Sequence, residues 1–245
     1  MQTTNSHNET LYPHVSVDCV LLGIHDDLFC VLLTERRNAG TGQTEYKLPG
    51  SLIYETEDLD DAAYRILNET TGLKRVLLRQ FRSFGSPHRT ANKEDVLWLE
   101  NASKMKIGRI VTVAYLALCK VRRMKISEKY SPAQWTPIDA LPRLPFDHEE
   151  IIREAVKEIR LWTQIEPSIV FDYLPPLFTA AQLRHTYEII YDKPIDVRNF
   201  HKKINAMEYV VQTEELQQGM PHRSARYYRF DKKKYNNMRA KLNTI

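Results

Sequence analysis

Apolar positions change period twice along this chain, and the changes divide it. Residues 15–23 (VSVDCVLLG) and 28–35 (LFCVLLTE) are near-continuous apolar runs that read as two buried strands, with a turn at His25-Asp26-Asp27. A polar loop over 36–43 carries two glycines. The spacing then becomes helical: Ala62, Ala63, Ile66 and Leu67 line one face of a helix that Asp58 or Asp60 can cap and Gly72 can end. Residues 75–84 predict a strand ending at Phe84-Gly85. Residues 86–108 are polar and show no clear period, and 109–121 (RIVTVAYLALCKV) give the strongest strand pattern of all. A short strand and turn follow, bracketed by Ala133-Gln134-Trp135 and Leu141-Pro142. Asp147, with Glu150 as capping partner, starts a helix whose apolar positions are Ile152, Ala155, Ile159 and Trp162.

The pattern beyond Pro167 differs. Three prolines between 167 and 176 read as a connection between domains. Thr179 and Gln182 form a capping box for a helix with Leu183, Tyr187 and Ile190 inward, and Pro194 stops it. Asp196 caps a second helix, VRNFHKKINAM, with Val197, Phe200, Ile204 and Met207 inward. Then come YVVQT, a polar tip and SARYYRF. Two short helices followed by a strand pair predict a winged helix-turn-helix.

Composition adds two constraints. With 42% apolar and 27% charged residues in 245, the chain reads as a globular protein large enough for two domains. No apolar run approaches the ~18–20 residues that span a bilayer, and the polar start has no secretory pattern, so a cytoplasmic protein with no membrane contact is expected. Cys19, Cys30 and Cys119 are scattered in apolar runs, as reduced structural thiols are. From residue 176 onward 13 basic residues face 7 acidic ones, a net of +6, while the rest of the chain nets −2. A near-neutral body with a basic tail domain is a common sign of nucleic-acid binding.

Residues 46–73, YKLPGSLIYETEDLDDAAYRILNETTGL, resemble a Nudix box, G-x5-E-x7-R-E-U-x-E-E-x-G-U with U aliphatic. Glu57, Arg65, Glu69, Gly72 and Leu73 hold its register. Ser51 stands at the box glycine, Ile66 at the first glutamate of R-E-U-x-E-E and Thr70 at the last. A diphosphate hydrolase needs several carboxylates on one helical face to hold Mg²⁺ and prepare a water. Losing two such groups raises the barrier by several kcal/mol, at about 1.36 kcal/mol per tenfold in rate. The expectation is therefore a non-enzyme with no catalytic residue, no cofactor and no metal. Glu57 and Glu69 are vestigial, and an Arg65–Glu57 ion pair keeps the loop–helix in shape.

On the second C-terminal helix Arg198, Asn199, His201, Lys202 and Lys203 avoid the buried stripe. Arg198 and Asn199 suit guanine and adenine edges, and the others suit phosphates or bases. His222 and Arg223 at the wing tip, with Arg226 beside it, suit the backbone or minor groove. Thr179 completes the expected DNA-binding set. Tyr227, Tyr228 and Phe230 read as packing residues rather than a base-stacking platform.

Together these segments resemble one family closely: Nudix-related transcriptional regulators, in which a degenerate Nudix domain precedes a winged helix. The carriers are the box, FGSPHR, GRIVTVAYLAL, PFDHEEIIREA, PLFTAAQLRHTYEIIYDKPIDVRNFHKKI and ARYYRF, within roughly residues 15–235. The resemblance implies an α+β protein: an α/β/α Nudix-like sandwich with a mixed sheet at 15–165, a linker at 166–177 and a winged helix at 178–245, after a flexible 1–14. It implies a homodimer, a repressor on double-stranded palindromic operator DNA, and a small-molecule effector, either a sugar, a sugar phosphate or an ADP-ribose-like compound. The effector cleft is expected between the box loop, with Lys47 and Ser51, and the strands carrying Phe84 and Arg109, with His148 facing it. The alternative is a residual Nudix hydrolase of a nucleoside diphosphate sugar. One departure stands out. Where relatives join FG to the next strand by a short R-D-x-x-x-R run, this chain inserts about twenty residues, including Asp95, Trp98 and Glu100. The insertion is either a cover over the pocket or an exposed loop.

Overall fold

A computed structural model describes residues 10–38, 40–121, 124, 126, 132–216 and 225–242. The chain forms two compact units, Met1–Glu158 and Ile159–Ile245.

The first unit is a seven-stranded sheet with helices. Strands β1 (Leu11–His25), β2 (Leu28–Arg37), β3 (Thr44–Lys47) and β4 (Gly50–Tyr54) lead into helix α1 (Leu59–Thr71). Strand β5 (Arg79–Phe84), a 3-10 turn (Pro87–Thr90), helix α2 (Lys93–Ser103), β6 (Val111–Cys119), β7 (Ala133–Pro137) and α3 (His148–Ile165) follow. The sheet order is β3-β2-β1-β6-β5, with β4 also beside β1 and β7 beside β2. The β1–β6 pair is parallel, running from Val15 opposite Val111 to Gly23 opposite Cys119, and the other pairs are antiparallel, so the sheet is mixed as expected. Asp26 and Asp27 turn β1 into β2 with φ of 48° and 61°, the left-handed pair that a two-residue hairpin needs.

The apolar runs are explained by position. β1 and β2 are central, and Val17, Val20, Leu21, Leu22 and Val31–Leu33 are fully buried because both faces are covered. Val17, Cys19, Leu21 and Leu32 meet Ala62, Ala63, Ile66 and Leu67 of α1 in one core. Asp58 caps α1, and Gly72 closes it with φ 76° and an N–H to the Asn68 carbonyl. The three cysteines are free and buried.

One expectation needs correction here. Residues 11–14 are not a loose start: they belong to β1, where Leu11 faces Tyr54 and the Thr10 carbonyl accepts from Glu55 N–H. Residues 86–108, which showed no clear period, contain two short helical elements. Ser86 and Asn92 cap the 3-10 turn and α2, and Lys104 ends α2 in a left-handed conformation.

In the second unit, helix α4 (Ser168–Phe171), strand β8 (Phe178–Thr179), helices α5 (Ala180–Tyr191) and α6 (Val197–Asn205), strands β9 (Val210–Leu216) and β10 (Arg226–Phe230) and helix α7 (Lys232–Leu242) follow the end of α3. The sheet order β8-β10-β9 with two capped helices is a winged helix. The expected linker at 166–177 is part of this unit's core. Phe171 is buried and stacks on Phe230 with ring centroids 4.5 Å apart, and it also lies against Phe178 and Tyr209. The prolines there shape the chain without freeing it, because an aromatic anchor outweighs them. Val197 is also corrected: it is 54% exposed at the first turn of α6, and burial begins at Phe200 and continues with Ile204 and Met207. Helix α7 docks through Tyr235, buried beside Tyr209 and Phe230 with its hydroxyl donating to Glu166. Among the described residues no helix is long and apolar enough to cross a membrane.

Candidate functional site

On β1, Asp18 interrupts an apolar strand, and the site is built around it. Its carboxylate accepts from Arg89 Nη2 at 2.9 Å and from Thr112 Oγ1 at 2.7 Å, and lies 3.5 Å from His148 Nε2. Gly50 of β4 passes so close that a Cβ there would meet Asp18 Oδ1 at 2.0 Å, so only glycine fits. Burial pushes the Asp18 carboxyl up, but His148, Arg89, Thr112 and Lys47 together hold it below the ordinary range.

His148 opens α3 and is 3% exposed. Its Nδ1 accepts the Leu48 amide hydrogen at 3.1 Å, which fixes the neutral ring with its proton on Nε2, facing Asp18. Burial, helped by Arg89, Lys47 and Arg36 and opposed by Asp18, pushes His148 down to about 3. Lys47 is buried in the box loop and donates to the carbonyls of Leu48 (3.0 Å) and Gly50 (2.9 Å). Burial brings its ammonium down to about 8 against the pull of Asp18.

The insertion covers these groups. From the 3-10 turn, buried Arg89 bridges Asp18 and Asp147 and lies under the Phe146 ring. From α2, Asp95 pairs with Arg36 of β2, and Trp98 spreads over Arg36 and Lys47, at 5.1 and 5.6 Å from its ring centre. What remains between Ser16, Asp18, Lys47, Ser51, Trp98 and His148 is a cavity of about 30 Å³, room for about one water. The insertion is therefore the cover, not an exposed loop.

Of the residues named for an effector cleft, Lys47, Ser51 and His148 line this cavity. Phe84 and Arg109 do not line it. Phe84 is buried edge-on to Phe81, and exposed Arg109 donates from its guanidinium to the Gly85 carbonyl. The sequence reading missed Asp18, Arg36, Arg89 and Phe146. A lone aspartate inside VSVDCVLLG was the available signal, since a charge in a buried strand must find partners.

In the box, Arg65 engages both remaining carboxylates. Both Glu57 oxygens are held by Arg65, at 2.6 and 2.7 Å, and Oε2 also accepts the Tyr54 amide. Arg65 reaches Glu69 at 3.0 Å and the Leu52 carbonyl at 3.2 Å, so the expected ion pair is present. Ile66 is fully buried, and the Thr70 hydroxyl donates to the Ile66 carbonyl. Among the described residues no cluster of three or more His, Cys, Asp or Glu is placed to hold a metal ion. These residues do not fit the Mg²⁺ that a working box holds.

In the second unit, Asp196 accepts from Asn199 N–H at 2.8 Å and starts α6. Phe200 and Ile204 turn inward, the former against Tyr187. Arg198, Asn199, His201, Lys202 and Lys203 are all exposed, so the structure brings this set onto one element. Lys203 is partly engaged, with its ammonium 4.8 Å over the Tyr187 ring. Arg226 is exposed at the wing base opposite Leu216. Thr179 is corrected: it is 4% exposed and its hydroxyl accepts the Gln182 amide hydrogen as a cap, while Gln182 returns the bond to Thr179 N–H. His222 and Arg223 lie outside the described residues. Phe230 packs on Phe171, and Tyr227 and Tyr228 are half-buried on β10, consistent with packing.

Comparison with known proteins gives the same two parts. The NUDIX domain profile matches residues 12–159, and that of the NrtR DNA-binding winged helix domain matches residues 170–230. The chain is 25% identical over 229 residues to the ADPR responsive transcriptional repressor NtrR of Acinetobacter baylyi, covering 91% of this chain and 84% of that protein. It is 24% identical over 147 residues to the ADP-ribose pyrophosphatase of Methanocaldococcus jannaschii, covering 60% of this chain and 75% of that enzyme. Among solved structures it is similar to Shewanella oneidensis NrtR complexed with a 27mer DNA, with 26% identity, a TM-score of 0.58, and 88% and 93% of the two chains covered. The sheet with its altered box and the capped basic helix beside a wing thus have one common source: this chain belongs to the Nudix family, in the NrtR-type group that joins a Nudix domain to a C-terminal DNA-binding winged helix.

Proposed function

We propose that this protein is a transcriptional repressor whose winged helix binds a two-fold operator as part of a homodimer, and whose Nudix domain binds an ADP-ribose-like metabolite without cleaving it. The observation that carries the DNA-binding half is α6: Phe200 and Ile204 are inside, and Arg198, Asn199, His201 and Lys202 are exposed along the other side. A capped helix with base-reading donors near its N-terminus and cations further on suits a major groove. Support for the other half is the Arg65 clamp on Glu57 and Glu69, which turns the remaining box carboxylates to structural use. The names of the similar repressor and pyrophosphatase favour an ADP-ribose-like effector over the sugars that the sequence left open. The effector changes DNA affinity only by binding the DNA-competent and DNA-incompetent states unequally.

The test is selection of duplexes from a randomised pool, followed by titration of the selected site with and without ADP-ribose. The expected result is an inverted-repeat site bound by two chains and released by ADP-ribose, with no AMP formed in the presence of Mg²⁺. Efficient release of AMP would establish the residual hydrolase instead. Failure to enrich any duplex would overturn the repressor reading.

A further inference from the structure

Helix α2 is held down in an unusual way. Of its eleven residues, from Lys93 to Ser103, only Asp95 is buried, and Asp95 is a carboxylate. Leu97 is 48% exposed, and Trp98 is half-buried. A helix without a buried apolar side chain has little to hold it beyond its polar contacts, and segments of that kind open first. Asp95 makes two such contacts: it pairs with Arg36 Nη2, and it accepts the Phe146 amide hydrogen at 3.0 Å. Phe146 itself sits at φ 53°, a conformation that a bulky residue adopts only when its surroundings impose it.

Two hollows lie on either side of α2. Trp98 and Leu99 border the cavity of about 30 Å³ over Asp18 and Lys47. Asn92, Glu94 and Asp95 border a second of about 280 Å³, which Arg36, Tyr46 and Arg143 also line. The intervening cluster already carries one more anion than it has cations: Arg36, Lys47 and Arg89 face Asp18, Glu45, Asp95 and Asp147. Yet it has donors to spare. Arg36 Nη1, Arg89 Nε and the Ser16 hydroxyl are buried with no hydrogen-bond partner among the described residues, although the Arg36 and Arg89 side chains are only 5% and 4% exposed. Unpartnered buried guanidinium N–H groups are rare, and they call for an acceptor that is not part of the chain.

We propose that α2 is a displaceable latch over the effector cleft, and that Asp95 occupies on Arg36 the place taken by an acidic group of the effector, a phosphate or carboxylate, when the helix lifts. This rests on the reading above that the effector binds in the Nudix domain. An anion cannot enter a buried cluster that already holds an excess of anions unless one of the resident anions leaves. Asp18 is on the central strand β1, Asp147 adjoins the start of α3, and Glu45 is on β3, hydrogen-bonded into the sheet. Strand β3 also lacks a buried apolar side chain, but its pairing with β2 holds it, whereas Asp95 is carried by a helix that has neither a buried apolar side chain nor a place in the sheet. Lifting α2 joins the two hollows, uncovers Lys47 from beneath Trp98, and adds the vacated Nη2 of Arg36 to its unpartnered Nη1 for bidentate recognition of an oxyanion.

Three full-length variants test this against the wild type: Asp95→Asn, Trp98→Ala, and Asp95→Asn combined with Arg36→Gln. ADP-ribose binding is measured by calorimetry, with inorganic pyrophosphate as a second probe, and hydrogen exchange is followed over residues 93–103. Asp95→Asn and Trp98→Ala each weaken the latch by a different contact, so each is expected to bind ADP-ribose about tenfold more tightly, because more of the protein is open before binding. Their α2 amides exchange faster without ligand, and adding ADP-ribose to the wild type speeds exchange of the same amides. Loss of the gain in the Arg36→Gln double variant places the acidic group on Arg36. Equal affinities in the wild type and both single variants, or slower α2 exchange on binding, overturn the latch and leave the effector reading intact. No binding of ADP-ribose to any of the proteins overturns both.

Discussion

Arg65 and Glu57 face each other as a two-pronged pair, Nε to Oε1 at 2.6 Å and Nη2 to Oε2 at 2.7 Å, and in doing so they close the box loop onto helix α1. The Arg65 guanidinium also lies 4.2 Å from the centre of the Tyr54 ring and reaches the Leu52 carbonyl, so one side chain fixes β4, the loop and the helix together. The same arrangement, with the Tyr54 amide, uses three of the roughly four acceptor positions of the Glu57 carboxylate.

Removing the cation is therefore a test of structure rather than of chemistry. Arg65→Met leaves the Glu57 side chain, 11% exposed, without its partner. We expect a loss of about 3 kcal/mol in urea unfolding, with most of it recovered when Glu57→Met is added. Burial works to raise the Glu57 carboxyl, but Arg65 and the Tyr54 amide lower it below its ordinary 4.5. Its stabilising effect is complete above pH 4.5 and is lost as pH falls through the depressed folded value, so Glu57→Gln should flatten the acid limb below pH 4.5. A loss under about 1 kcal/mol in Arg65→Met would show the pair to be no stronger than a surface salt bridge.

His148 gives a second pH dependence at a different place. Its value falls from an ordinary 6.5 to about 3 in the folded protein. The unfolded chain therefore takes up a proton that the folded chain refuses. Stability is unaffected above pH 6.5 and declines as pH falls from 6.5 toward 3, by up to about 1.36 kcal/mol per pH unit. His148→Asn retains an acceptor for the Leu48 amide and has no proton to gain. Urea midpoints between pH 7 and 4 should fall less steeply in the variant; parallel curves would assign the acid sensitivity to another group.

Two residues of α6 should fail in different ways on DNA. Arg198→Ala is expected to relax sequence preference by about 1–3 kcal/mol, with little change on random duplex. Lys202→Ala should weaken every duplex and reduce the slope of log affinity against log salt by about 0.9. Lys202 is a cleaner probe than Lys203, whose ammonium already rests on Tyr187. An unchanged salt slope in Lys202→Ala would remove it from the phosphate contacts, and an equal loss on random duplex would make Arg198 a phosphate contact.

The segment before the winged helix should be required for its folding. Phe171→Ala removes a ring stacked on Phe230 and packed on Phe178 and Tyr209, at an expected cost of about 3–5 kcal/mol. A fragment beginning at 159 should show cooperative unfolding by circular dichroism, and one beginning at 178 should not. Cooperative folding of the shorter fragment would restore the simple linker reading of 166–177.

Much of this protein was written in local pattern. The apolar runs of β1, β2 and β6, the stripe of α1, the caps at Asp58, Thr179 and Asp196 and the left-handed Gly72 depend on neighbours within a few residues, so period and cap chemistry suffice to read them. The Arg65–Glu57 pair was legible for the same reason, since eight residues separate its members across one loop–helix. The exposed cations of α6 follow from its amphipathic spacing once Phe200 and Ile204 are inward.

What the sequence could not decide was set by partners distant along the chain. Whether 86–108 is loop or cover depends on Arg89 finding Asp18 and Asp147, and on Asp95 finding Arg36, contacts spanning 71, 58 and 59 residues. The short start at 11–14 became strand because Tyr54 lay opposite Leu11, and the proline-rich 166–177 became core because Phe171 met Phe230. Phe84 and Arg109 fell away from the cavity while Asp18 and Arg89 entered it. A residue's period tells which side of its own element it faces. What lies on that side is fixed only when the elements pack, because burying a charge is tolerable only where another element delivers its partner.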